Sequence, residues 1–274
     1  MQDVSVLKKI VEAIKDIVNI VNIDANPTGL SFQAMDLSHV ALVSLNLKSD
    51  GFQDYRADKN IPLGIKLVNL HKILKCADNS DVLTLECDDD PQQLTIKFDS
   101  QSQDKTSKFC LNLMMQEDEQ LQIPETVYSS RVTMPSGEFS RIIRELAQLA
   151  ESVKIKTTKK SITFEVHGDI VTGDMELKEN NSARANEAIK IDVDEQVTNS
   201  FSLTFLNQFT RATSLSDSVN LYMSENTPLV VEFPIAEYGN LKFYLAPKLN
   251  EEWIIKYWNI RNLFYDLQAQ FPFL

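Results

Sequence analysis

The chain contains the same helix–turn–strand pattern twice, in two stretches of equal length. The first, HKILKCADNSDVLTLE, covers residues 71–86, and the second, NQFTRATSLSDSVNLY, covers residues 207–222. A cation stands at matching positions of the two helical parts, Lys75 in one and Arg211 in the other. Repetition of a supersecondary unit along a chain indicates a repeat architecture. The two stretches are therefore predicted to be equivalent corners of two repeated domains.

Four segments have apolar residues at the spacing of an amphipathic helix, which buries one stripe and exposes the other. The third helix is predicted to begin at Ser136 as its N-cap, with Glu138 in the first turn, where an acid suits the helix dipole. The apolar positions are Leu7, Ile10, Val11, Ile14 and Val18; Leu67, Leu70, Leu74 and Ala77; Phe139, Ile142, Ile143, Leu146 and Leu149; and Leu203, Leu206, Phe209 and Thr213.

Between these helices the apolar residues alternate with polar ones, which predicts antiparallel strands with one wet face. Each half then holds two helices packed on antiparallel strands, so the fold class is α+β. The alternating segments are VALVSLNL (40–47), LTLEC (83–87), LTIKF (94–98), FCLNL (109–113), ITFEV (162–166), IKIDV (189–193), VNLYM (219–223), LVVEF (229–233) and LKFYL (241–245).

An acidic stretch without periodicity, which contains Pro124, separates the two halves. We predict an N-terminal domain over 1–113, a connecting loop over 114–130, a C-terminal domain over 131–252 and a C-terminal extension over 253–274. Within the loop, Leu121 and Ile123 either anchor it to the body or form an apolar ledge for a partner peptide.

The net charge of −12 argues against a nucleic-acid partner unless the cations are gathered on one face. Cations do recur on the polar sides of the four helices. On any single helix, such cations are explained by a solvent-exposed face that carries charges of both signs. A repeated fold, however, can turn the polar faces of all four helices towards one surface. The residues are Lys8, Lys9 and Lys15; Lys72 and Lys75; Arg141 and Arg144; and Arg211.

The sequence contains few patterns typical of catalytic sites, metal sites or membrane spans. The three cysteines are read as reduced thiols of an intracellular protein, since their spacing fits no zinc site. The acidic run 88–90 is predicted to be a solvated hairpin turn; the rival interpretation is the metal site of a nuclease. No apolar run approaches the length of a membrane span, and the first residues lack a signal-peptide layout. We therefore expect no enzyme, no cofactor and no metal.

Several segments together resemble the eukaryotic sliding clamp family, proliferating cell nuclear antigen. The resemblance runs collinearly from about Ser5 to Glu252, and LAPK near its end is highly specific. It implies a homotrimeric ring of two-domain subunits whose inner helices surround duplex DNA. The matching segments are SVLKKIVEAIKDIVN, QAMDLSHVALVSL, SDGFQDYRADKN, HKILKCADNSD, MPSGEFSRIIREL, PLVVEF and LKFYLAPKLNEE.

The resemblance also implies where the chain meets its partners. Carried over by position, the DNA-contacting set is Lys8, Lys9, Lys15, Arg56, Lys72, Lys75, Arg141, Arg144 and Arg211. The peptide pocket is Met35, His39, Val40, Leu121, Ile123, Pro228, Tyr244, Ala246 and Pro247. The subunit edges are residues 108–113, with Phe109, Cys110 and Leu111, and residues 173–178, with Asp174, Met175 and Leu177. The family's modifiable lysine falls on Lys159, although Lys160 follows it where an acid is usual.

A nuclear processivity factor of this kind binds double-stranded DNA, itself, and the docking motifs of polymerases, the clamp loader, flap endonuclease and ligase. Two departures from the family leave alternatives open. The strand that precedes the first helix in family members is missing, which should leave a gap in one sheet. Residues 253–274 are an additional segment, which is poorly ordered, forms an amphipathic helix, or mimics the docking motif. A divergent paralogue with impaired or mixed ring assembly is the alternative.

Overall fold

The computed structural model describes residues 4–102, 104–114, 126–168, 170–180, 187–225 and 227–248. The chain divides into two compact units. The first unit comprises Met1–Asp36, Val43–Gln120 and Pro234–Leu241, and the second comprises Leu37–Leu42, Leu121–Phe233 and Lys242–Leu274. Within the described residues, no helix is both long and apolar enough to cross a membrane.

Among its described residues, the first unit contains two helices, which pack against each other, and two groups of antiparallel strands. In chain order its elements are α1 (Val4–Ile14), β1 (Ile20–Asn26), β2 (Gly29–Met35), β3 (Ala41–Lys48), a 3₁₀ turn (Ser49–Gly51), β4 (Ile61–Lys66), α2 (Leu67–Leu74), β5 (Val82–Glu86), β6 (Gln93–Asp99) and β7 (Thr106–Asn112). The strand orders are β3-β2-β1-β4 and β5-β6-β7. The first two residues of β3 belong to the second unit.

The second unit repeats this composition, with α3 packed on α4. Its elements are β8 (Ser130–Pro135), α3 (Ser136–Leu146), β9 (Ser152–Thr157), β10 (Ser161–His167), β11 (Thr172–Lys178), β12 (Lys190–Val193), β13 (Val197–Ser202), α4 (Leu203–Phe209), a 3₁₀ helix (Thr210–Leu215), β14 (Ser218–Met223), β15 (Leu229–Ile235) and β16 (Gly239–Leu245). The strand orders are β11-β10-β9-β13 and β12-β8-β14-β15. β15 and β16 each contribute some residues to both units.

The predicted apolar stripes are the faces by which the helices enter the core. Those of α1, α2 and α3 are buried along their helical lengths, which confirms the periodicity argument. Leu149 is an exception, with 47% of its surface exposed, because α3 ends three residues earlier at Leu146. Burial of each such large side chain stabilises the fold by about 1.5–3 kcal/mol relative to leaving it in water.

Two local predictions are wrong. Ser136 is the first residue of α3 rather than its cap, and Pro135 stands at the N-cap position, with φ −58° and ψ 128°. The Ser136 hydroxyl instead donates to the Ser216 carbonyl, which ties α3 to the turn before β14. The fourth helix is also shorter than its pattern, because it tightens into a 3₁₀ helix after Phe209, so Thr213 lies in that helix.

The predicted repeat is confirmed at both corners, with one difference between them. In each, a helix ends, a turn follows and an antiparallel strand begins. β14 pairs with β8 on one side and β15 on the other, whereas β5 pairs with β6 and with no second strand among the described residues. Consequently Val219 and Leu221 on β14 are buried, while Leu83 and Leu85 at the matching positions of β5 are partly exposed.

Candidate nucleic-acid and partner interfaces

The first unit presents three lysines on α1 and α2 that are open to solvent. Lys9 lies on α1, Lys72 in the last turn of α2, and Lys75 at its C-cap. All three are exposed, and none forms an ion pair with another described residue. Lys72 and Lys75 stand three residues apart, so they share one face of the helix. This face is positively charged and exposed to solvent, as a contact with phosphates requires.

The other two lysines of α1 and its C-terminal turn are engaged within the unit. The Lys8 Nζ donates to the Ala77 carbonyl at 2.6 Å and to the Asn79 side chain at 3.1 Å, which ties α1 to the turn after α2. The Lys15 Nζ lies 3.0 Å from Asp16 and 3.5 Å from Glu12. The hydrogen bond to Asp16 is the largest cause of the raised pKa of Lys15. These lysines are therefore less available than Lys72 and Lys75.

Arg56 lies in the segment that leads into β4 and belongs to neither helix of the unit. Its guanidinium forms a bidentate contact with Asp58, with Nη2 2.7 Å and Nε 3.1 Å from Oδ2. The hydrogen bond raises the pKa of Arg56 and lowers that of Asp58. Both side chains are largely exposed, so the pair contributes little to stability. The predicted role of Arg56 in DNA contact would require this pair to open.

In the second unit, three exposed arginines lie on α3 and on the 3₁₀ helix after α4. Arg144 on α3 donates from Nε to the Ser140 carbonyl at 3.3 Å and has no acidic partner among the described residues. Arg141, three residues earlier, is held by Glu138 and Glu145. Arg211 lies exposed in the 3₁₀ helix that follows α4. Arg144 is the counterpart in this unit of the open lysines on α2.

Most of the predicted peptide pocket falls within the second unit. The Ala246 amide donates to the Val40 carbonyl at 3.0 Å, which places the 246–247 segment beside the 39–40 segment. His39 is exposed and has a φ of +56°, an uncommon conformation for a residue other than glycine. Pro228, Tyr244 and Pro247 are buried. Met35 belongs to the first unit, and Leu121 and Ile123 lie outside the described residues.

Two tyrosines of the second unit are shielded from water. Burial is the main cause of the raised pKa of Tyr244, and the nearby Tyr128 also contributes. Burial raises the pKa of Tyr128 itself to about 12. Tyr128 packs against Tyr222 with ring centroids 5.6 Å apart. A separate cavity of about 590 Å³ at the start of α3 includes none of the predicted pocket residues.

The two predicted subunit edges are both free strand edges. β7 pairs with β6, and β11 pairs with β10; neither has a second partner in the described part of the chain. On each of these strands, two apolar residues pair with buried residues of the neighbouring strand. Leu111 is buried, and the other three are partly exposed. These residues are Phe109, Leu111, Met175 and Leu177. Cys110 and Asp174 lie on the other face and are exposed.

Comparison with known proteins identifies the family. A profile of the N-terminal domain of proliferating cell nuclear antigen matches residues 1–121, and a profile of its C-terminal domain matches residues 122–248. The chain is also similar to the proliferating cell nuclear antigen of Chaetomium thermophilum, with 44% identity over 253 residues that cover 92% of this chain and 98% of the relative. The chain belongs to the proliferating cell nuclear antigen family. It is a DNA sliding clamp, a polymerase processivity factor with no catalytic activity.

The acidic run of residues 88–90 lies on the surface of the first unit. These residues lie in an exposed turn between β5 and β6, as predicted. Across the described residues, no group of three or more His, Cys, Asp or Glu side chains is placed to hold a metal ion. The three cysteines are exposed and unpaired.

The lysine that matches the family's modifiable position lies in a hairpin turn of the second unit. Lys159 is exposed between β9 and β10. The turn is fixed by the Thr158 hydroxyl, which accepts from the backbone amides of Lys160 and Ser161. The Lys159 side chain is therefore presented to solvent on a defined loop.

The sequence shows acids interspersed among the cations of the helices, but not which cation each acid holds. Glu138 and Glu145 flank Arg141, and Glu12 lies 3.5 Å from Lys15. A usable signal was present, because residues three and four apart on a helix are neighbours.

Proposed function

We propose that three copies of the chain join edge to edge, β7 of one to β11 of the next, into a ring that encircles duplex DNA. The cationic faces of the helices would line the hole. The observation that supports this most is the set of exposed cations without acidic partners among the described residues, Lys9, Lys72, Lys75 and Arg144, on helices of both units. A closed ring leaves no free edge at β7 or β11, which protects both strands from unspecific pairing.

The contacts of such a ring with DNA are expected to be individually weak. Lysine and arginine contacts with phosphates are independent of sequence and are screened by salt. The net charge of −12 per chain opposes tight binding from solution. Enclosure rather than affinity then keeps the clamp on DNA, and weak contacts let it slide. The predicted set contains nine cations, and we propose that Lys9, Lys72, Lys75 and Arg144, which are the most available of them, provide most of the contacts.

The test of the DNA surface is the salt dependence of duplex binding. Lys72→Gln together with Lys75→Gln should weaken binding of a short fluorescent duplex and lower the slope of log K against log salt by about 0.9 per lost phosphate contact. A matched double variant, Lys48→Gln with Lys105→Gln, removes two exposed lysines outside the helices. Equal losses in the two variants would refute the helical DNA surface.

We also propose that the clamp docks short peptides beside the loop that connects its domains, residues 114–130. The motif is Gln-x-x-aliphatic-x-x-aromatic-aromatic, in polymerases, the clamp loader, flap endonuclease and ligase. The proposed pocket is Met35, His39, Val40, Leu121, Ile123, Pro228, Tyr244, Ala246 and Pro247. The bond between Ala246 and Val40 supports it, because it joins two of the predicted segments. Calorimetry with such a peptide tests the pocket. His39→Gly should weaken peptide binding, because glycine tolerates the positive φ of this position but removes the side chain. Glu195→Gln is the control and should leave peptide binding unchanged.

The domain limits, the modification of Lys159 and a nuclear location are part of the same proposal. The domains are 1–113 and 131–252. Residues 253–274 lie outside the described residues, and their effect can be measured directly: if they occupy the pocket, removing them will increase peptide affinity. Equal affinity with and without them would exclude self-occlusion.

A further inference from the structure

Arg141 is enclosed by two carboxylates on α3. Its Nε lies 3.0 Å from Glu138 Oε2 and its Nη2 lies 2.5 Å from Glu138 Oε1. Its Nη1 lies 3.1 Å and 3.0 Å from the two oxygens of Glu145. All three guanidinium nitrogens therefore donate to an acid: the contact with Glu138 is bidentate, the geometry of the strongest ion pairs, and the contact with Glu145 is made by Nη1 alone.

The cluster of Arg141, Glu138 and Glu145 has no net positive charge, although half of the Arg141 side chain is exposed to solvent. One arginine and two carboxylates leave a formal charge of −1 on the cluster. A DNA phosphate approaching Arg141 would have to displace both acids and would meet a net repulsion. The hydrogen bond to Arg141 lowers the pKa of Glu138, so this acid stays ionised over the neutral range. Arg144, one turn further along, has no acidic partner among the described residues and keeps its full charge.

The first unit contains a similar arrangement, which argues against chance. Lys15 stands between Glu12, three residues before it, and Asp16, next to it, at 3.5 Å and 3.0 Å. Glu12 is also joined to His71 on α2 at 2.6 Å. The Lys15 side chain is only 16% exposed. In each unit, one cation of the proposed DNA surface is thus held by two acids, while Lys9, Lys72, Lys75 and Arg144 have no acidic partner among the described residues.

We propose that Glu138 and Glu145 limit the grip of the clamp on DNA by holding Arg141 away from phosphates, so that Arg144 provides the main contact from α3. This inference rests on the proposed DNA surface and assigns a role to two acids within it. Because Arg141 is paired with acids, the affinity of the clamp for DNA stays low enough for sliding. It also means that the number of cations on the helices overstates the number of phosphates contacted.

The test is to neutralise the two acids and measure binding to a short linear duplex at several salt concentrations. Glu138→Gln with Glu145→Gln should raise the affinity about fivefold, the factor expected for one additional screened contact between unit charges. The salt slope should increase by about 0.9 for each new phosphate contact. Glu195→Gln with Glu225→Gln is the matched control, because it changes the net charge equally at exposed positions outside α3.

A third substitution distinguishes release of Arg141 from simple loss of negative charge. Adding Arg141→Gln to the double variant should cancel both the gain in affinity and the steeper salt slope. A gain that persists in the triple variant, or an equal gain in the control, would overturn the inference. Thermal unfolding and light scattering of each variant establish that the fold and the assembly are retained.

The remaining comparison separates this inference from the proposed function. Arg144→Gln should weaken duplex binding about fivefold, and Arg141→Gln should weaken it by less than half as much. Equal losses would overturn the inference while leaving the DNA surface in place. No loss from Arg144→Gln would instead count against the DNA surface itself.

Discussion

The repeated helix–turn–strand corner allows one substitution to be compared at equivalent positions of the two units. Leu221 on β14 and Leu85 on β5 match in the repeat. Leu221 is 1% exposed and lies between Val132 of β8 and Val231 of β15. Leu85 has Ile96 of β6 on one side and no described strand on the other, and it is partly exposed. The same change to alanine should therefore have different costs.

The difference can be estimated from what each side chain loses. Leu221→Ala removes a fully enclosed side chain and leaves a cavity, so the free energy of unfolding should fall by about 3 kcal/mol, within the usual 2–5. Leu85→Ala removes a side chain that water already reaches and that has a neighbouring strand on one side only. Its free energy of unfolding should fall by about 1 kcal/mol.

Urea unfolding followed by circular dichroism measures both. With an m-value of about 3 kcal/mol/M, the midpoint should fall by about 1 M for Leu221→Ala and by about 0.3 M for Leu85→Ala. Leu149→Ala is the control, since its side chain is largely exposed and its loss should change the midpoint little. A loss for Leu85→Ala as large as that for Leu221→Ala would show that the outer edge of β5 is covered, and the argument from burial would fail.

Three further predictions follow from single features of the structure. Gly64→Ala should destabilise the first unit by about 1–3 kcal/mol in the same assay, because a Cβ there would lie 1.6 Å from the Met114 carbonyl oxygen; an unchanged midpoint would contradict it. Met175→Glu places a charge on the β11 edge, so light scattering should show smaller assemblies than for wild type; an unchanged mass would exclude this edge. Burial keeps Tyr128 and Tyr244 protonated in the fold, so the unfolded chain loses these protons first above pH 10. The free energy of unfolding should therefore fall from about pH 10 towards 12, checked by urea midpoints and absorbance at 295 nm, and a flat profile would refute it.

The helices and nine strands were predictable because their apolar residues follow a clear period. Strands β1, β2, β4, β8, β9, β11 and β13 were not predicted from such a period. In β1 and β2 most residues are partly buried, so polar and apolar side chains do not separate cleanly between two faces. In β13 the single large apolar side chain between the strand ends is Phe201, and Thr, Asn and Ser fill the other positions. Pairing with neighbouring strands, rather than sequence pattern, fixes these elements.

For the proposed DNA surface, the sequence was informative about some properties of the cations and not about others. The positions of the cations on helices followed from spacing alone, whereas their availability did not. Arg141 and Arg144 look alike in the sequence, yet one is enclosed by two acids and the other has none among the described residues. The start of α3 illustrates the same point, because Ser136 has the residue type of a cap but bonds to Ser216 instead. Such choices between competing partners depend on geometry.

The most direct test of a sliding clamp is whether its hold on DNA depends on a closed path. Clamp loaded by a clamp loader onto a nicked circular plasmid should remain bound at high salt, because the proposed ring would enclose the duplex. Cutting the plasmid once should release it, since the clamp can then slide off an end. Retention on the cut plasmid, or loss from the intact circle at the same salt, would contradict enclosure and leave ordinary binding as the explanation.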